Sequence, residues 1–127
     1  MAVRATIVAV LSERLRMWRK QGESAIDLSG SSLPRAQMKG IDLSGASSSR
    51  ADLSLAWLKS ANLARAKLSD CDLTGAGFAK ARMNRALLIG AYASEADFTD
   101  ANLKSAKLDA AKLSEAEFSR GTLASAT

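Results

Sequence analysis

The chain has 127 residues, a formal net charge of +5 at pH 7, one cysteine and no histidine. That length suits a single domain, with a sizeable core only if packing is economical. Without histidine there is no catalytic triad, imidazole proton shuttle or histidine metal ligand. The lone Cys71 excludes an internal disulfide and a thiolate metal cluster. No apolar run reaches the roughly eighteen residues of a spanning helix, so no membrane contact is expected and the cytoplasm is the default compartment. Phosphate-loop, dinucleotide-fold, zinc-protease and calcium-loop patterns are also missing. The expectation is therefore a protein without catalytic activity, cofactor or metal.

Residues 1–25 stand apart from the rest of the chain. Ser12-Glu13 marks a helix start, Leu15 and Trp18 share a face, and Gln21-Gly22 supplies a stop. These signals predict a helix over about residues 12–21. Starting near Thr6 would add Ile7 and Leu11 to the same face, whereas Val8 and Val10 keep a short strand over 6–10 in competition. Residues 5–11 have the minimum length of a signal-peptide core, with Arg4 before them. SERLRMWRK comes directly after them without a small-residue cleavage site, which argues against a secretory signal.

From residue 26 to residue 125 the sequence falls into twenty five-residue blocks, from IDLSG and SSLPR to AEFSR and GTLAS. The third position is Leu, Met or Phe in all blocks but two, which carry Ser48 and Ala93. The first position is Ala in fifteen blocks, the others having Ile26, Ser31, Ile41, Cys71 and Gly121. A period of five matches neither the 3.6 of a helix nor the 2 of a strand. A helix would also spread positions five apart around its surface. A small and a large residue separated by one suit a short extended segment that points both side chains the same way. The chain must then turn, and turns of one hand make a coil whose layers stack on a shared apolar column. Cys71 at the small inward position is a core filler on this reading.

The blocks ADLSL, ANLAR, CDLTG, ADFTD and ANLKS resemble the A(D/N)LXX signature of pentapeptide-repeat proteins, over about 80% of the chain. The resemblance implies an all-β right-handed quadrilateral β-helix with four blocks per coil. It would have about five coils over residues 26–127 and residues 1–25 as an N-terminal α-helical cap. The coils would be 26–45, 46–65, 66–85, 86–105 and 106–125. At about 4.8 Å per layer the rod would be about 24 Å long. A cap answers a definite need, because an open first coil exposes Leu28, Leu33, Met38, Leu43 and unpaired edges. Arg14, Arg16, Arg19 and Lys20 make a membrane-surface helix the less favoured alternative. At the other end the edges below Leu108, Leu113, Phe118 and Leu123 invite a second copy. The resemblance implies a homodimer through the C-terminal coil.

A period of twenty sorts the outward residues onto four faces. The fourth face carries Arg65, Arg82, Arg85 and Lys104 against Asp42, whereas the second is net acidic. Asp27, Asp42, Asp52, Asp72 and Asp97 at the outward second position are expected to be ordinary solvated carboxylates, and the many serines to bond backbone in turns. Leu55, Trp57, Leu87, Ile89 and Tyr92 are apolar where the pattern points outward. They are the candidate protein contacts. Three functions compete. The first is a non-catalytic interaction or scaffold protein with an unidentified protein partner. The second, implied by the resemblance, is a DNA gyrase or topoisomerase modulator that mimics duplex DNA. Net charge +5 and five coils argue against that mimicry. The third is nucleic-acid binding through Arg65, Arg82, Arg85 and Lys104, which lack aromatic stacking partners.

Overall fold

A computed structural model describes residues 26–127. The helix expected over about 12–21, the competing strand over 6–10 and the capping role of residues 1–25 lie outside the described residues. Within them, the second residue of every block in the first four coils makes a parallel β-bridge to the residue twenty positions on, from Asp27↔Ser47 to Asn102↔Thr122. The constant offset fixes four blocks per coil, so the rod is a four-sided solenoid.

Each block assigns its backbone donors in a fixed way, as ADLSL shows. The N–H of Asp52 donates to Ser31 O at 2.8 Å in the coil below. Those of Leu53 and Leu55 donate to Asp72 O and Thr74 O in the coil above, both at 2.8 Å. The N–H of Ala56, first in the next block, closes the corner onto Leu53 O at 3.1 Å. One donor per block remains, that of the fourth residue. A chain that turns every five residues still has to satisfy it.

The corner is made by the fifth residue, which is left-handed in every block. Five of these are glycines, and the rest include Leu55 at φ 57°, Arg65 at 60° and Arg120 at 56°. An L-residue pays for that conformation in steric strain, so the ladder and the core must hold it. No β-branched residue occupies a fifth position, in keeping with that strain.

The core is the column of first and third side chains. Leu53, Leu58, Leu63, Leu68, Leu73, Met83, Leu88 and Leu103 are fully buried, as are the small residues from Ala36 to Ala106, Cys71 included. Phe78, Phe98 and Phe118 stack on one face with ring centroids 5.1 and 4.9 Å apart. Ser48 and Ala93, the two small central residues, are buried in the same column. The Cys71 thiol donates to Ser48 O at 2.7 Å, and burial pushes its pKa up to about 11. A neutral thiol in that setting is packing material and a poor nucleophile.

Candidate functional site

The fourth-residue donor accounts for the outward Asp and Asn side chains of seven blocks. Every Asp or Asn at a second position turns its Oδ1 to accept the N–H two residues on. Asp52 does so from Ser54, Asn62 from Ala64, Asp72 from Thr74, Asp97 from Thr99 and Asn102 from Lys104, at 2.9–3.1 Å. Asp27 and Asp42 cap the first coil in the same way, toward Ser29 and Ser44. This corrects the expectation that these aspartates are merely solvated. Hydrogen bonds from Ser29 hold the Asp27 carboxyl below its usual range, and those from Ser54, including its hydroxyl at 2.6 Å, do the same for Asp52. The backbone-bonding role expected of the serines is met at Ser31 and not at Ser54. At Ser54 the side chain caps the aspartate, although Ser31 Oγ does donate to a backbone carbonyl, Leu28 O.

Trp57, Leu87 and Tyr92 stand at second positions and carry no acceptor suited to that bond. They are not drawn into the core in exchange: Trp57 is 65% exposed and Tyr92 48%, with Leu87 half-buried. The fold gains neither a capped turn nor a buried side chain from Trp57 or Tyr92.

The five apolar candidates form two groups. Leu55 and Trp57 flank the corner between the second and third faces in the second coil. Leu55 Cδ2 lies 2.6 Å from where a Cβ on Gly75 would stand, so the leucine leans over that glycine. A Cβ on Gly77, the residue bridged to Trp57, would meet nothing nearer than Ala56 O at 3.9 Å, so the space beyond the indole is open. Leu87, Ile89 and Tyr92 flank the corner between the first and second faces two coils further on, where Lys112 Nζ sits 4.9 Å from the Tyr92 ring centroid. The basic candidates divide as well. Arg65, Arg85 and Lys104 line one cleft of about 340 Å³ together with Asn84 and Ser105. Arg82 is outside it, at a second position bridged to Asn62 and Asn102. Asn84, Ser105, Gly75 and Gly77 were not singled out from sequence. Lining up residues twenty apart, corner on corner, would have found them.

The repeat chemistry agrees with comparison to known proteins. Pentapeptide repeats, in eight copies, match residues 24–56, 36–75, 51–88 and 81–120. The chain belongs to the pentapeptide-repeat family. Two solved pentapeptide-repeat proteins superpose on it along most of their length. The cyanobacterial protein Rfr23 from Cyanothece 51142 is 25% identical, with 76% of this chain and 83% of that one covered and a TM-score of 0.68. The Nostoc PCC 7120 protein alr5209 is 33% identical over 75% and 77% of the two chains, with a TM-score of 0.66. A thylakoid-lumen member from Arabidopsis thaliana is 26% identical over 79% and 63%, and its TM-score is only 0.41. No curated protein is similar enough to count as a match. Among the described residues of this pentapeptide-repeat chain, no helix is long and apolar enough to cross a membrane, and no cluster of side chains is arranged to hold a metal ion.

Proposed function

We propose that this pentapeptide-repeat protein is a non-catalytic scaffold that binds another protein through the corner bearing Leu55 and Trp57. The observation that carries this reading is the exposed indole of Trp57, at a position where it gives its block no turn cap. The residue gives up the turn-capping acceptor that seven other blocks have, and it stays 65% exposed. Exposed tryptophan beside open space is the type of side chain that anchors protein interfaces. Leu87, Ile89 and Tyr92 form a second, smaller contact. A second copy meeting the 106–125 coil, where Leu123 is 44% exposed, is the self-association that fits the same logic. The working compartment on this reading is the cytoplasm.

The test compares proteins captured from a cell extract by the unaltered chain and by a Leu55→Ser/Trp57→Ser double variant of unchanged melting temperature. The scaffold reading expects a stoichiometric partner that the variant loses. Identical capture by both removes this corner from consideration. Purified gyrase serves as the second arm. Inhibition of supercoiling at stoichiometric protein, unaffected by the double variant, would replace the scaffold reading with topoisomerase modulation.

A further inference from the structure

The corner columns of the rod contain an internal control for electrostatics. At the corner after the third face, Asp100 and Arg120 are fifth residues of adjacent coils. They meet in a two-pronged ion pair, Nε to Oδ1 at 2.9 Å and Nη2 to Oδ2 at 3.1 Å. Such a pair has the fork geometry in which arginine binds two oxygens of a carboxylate or a phosphate. At the corner after the fourth face, Arg65 and Arg85 have the same relation. Their φ values of 60° and 61° match the 59° and 56° of Asp100 and Arg120, so the backbone presents both pairs alike. Here the lower member is a second arginine where the other column has a carboxylate.

Two guanidiniums one layer apart, about 4.8 Å at the backbone, repel each other. Lys104 adds a third cation to the same cleft. Among the described residues no carboxylate pairs with any of the three. Asn84 and Ser105 complete the lining with an amide and a hydroxyl. The residues lining the cleft thus carry two guanidiniums, an ammonium, an amide and a hydroxyl, with no carboxylate among them, unlike the neighbouring column.

We propose that this corner binds a phosphate group between Arg65 and Arg85, with Lys104 closing one side. The ligand is a compact phosphorylated molecule and not a nucleic-acid backbone. The arginine column is only two layers deep, ending at Gly45 below and Ser105 above, so it provides no track for successive phosphodiesters. No aromatic side chain lines the cleft to stack a base. At about 340 Å³ the cleft is larger than a phosphate alone requires, leaving room for the group it esterifies.

Calorimetric titration of the full chain with inorganic pyrophosphate, at low ionic strength, tests this directly. One saturable site per chain is expected. Arg85→Ala should weaken it at least about tenfold, as loss of a charge-assisted fork does, and Arg82→Ala should leave it within about twofold. Arg65→Asp recreates the Asp–Arg order of the neighbouring column, so it should abolish binding while raising the melting temperature. Absence of a saturable site, or an affinity untouched by Arg85→Ala and Arg65→Asp, overturns the proposal. Affinity that climbs with oligonucleotide length and collapses with salt overturns it as well, in favour of a polyelectrolyte surface.

Discussion

The middle coils and the 106–125 coil are written in the same five-residue code, yet they differ in what they bury. Leu73 and Leu123 are both central residues, and Leu73 is fully buried while Leu123 is 44% exposed. Phe98 is sandwiched between two rings, whereas Phe118 has a ring on one side only and is partly buried. A block therefore does not carry its burial with it. Each layer is covered by the layers above and below, and stability grows by neighbour contacts along the rod.

The strongest way to break that comparison is to place the same charge in both settings. Leu73→Asp puts a carboxylate where no water reaches and should cost more than about 4 kcal/mol, enough to lose the native fold. Leu123→Asp should cost about 1 kcal/mol or less, since its carboxylate keeps its hydration. Urea titrations followed by circular dichroism give both values. Equal losses would mean that stacking does not decide burial.

A gentler pair sharpens the same point without adding charge. Phe98→Ala removes the middle ring of the stack and should cost about 3–5 kcal/mol, the range for emptying a closed core site. Phe118→Ala opens onto a partly exposed edge and should cost clearly less. If the two unfold at the same denaturant concentration, the phenylalanine stack is not a ladder of neighbour contacts.

The effect at Cys71, deep in the middle, shows only as a dependence on pH. Its thiol titrates at about 11 in the folded chain against 9.0 for an ordinary thiol, because burial disfavours the thiolate. Below pH 9 the folded and unfolded chains both keep the proton, and its contribution to stability is fully present. Between pH 9 and 11 the unfolded chain loses the proton first, so stability falls as pH rises. Cys71→Ala should remove that slope, and a thiol reagent should label the protein only as fast as it unfolds. Labelling at the rate of a free thiol under native conditions would place Cys71 outside the core.

The outer shell was legible in part. Alternation within each block points Trp57, Leu87 and Ile89 outward, with Leu55 around a corner and Tyr92 starting the next face; Leu87 is half-buried and the other four are exposed. It gave no reason for Asp or Asn at the second position. That reason appears only when every backbone donor is followed to its acceptor and the fourth N–H is left over. The basic residues show the same limit. Arg65, Arg82, Arg85 and Lys104 share a face by counting, but three of them converge on a cleft and Arg82 does not.

The five-residue period by itself determined a turning coil and its inward register, because small-x-large spacing points both side chains into a shared column, while the four-sided fold was what the resemblance of its blocks to pentapeptide repeats implied. Only the tertiary structure decided which outward residues meet. Neighbours on this rod are twenty residues apart and one layer above each other. Whether two such side chains attract, as Asp100 and Arg120 do, or repel, as Arg65 and Arg85 must, depends on the corner geometry that stacks them.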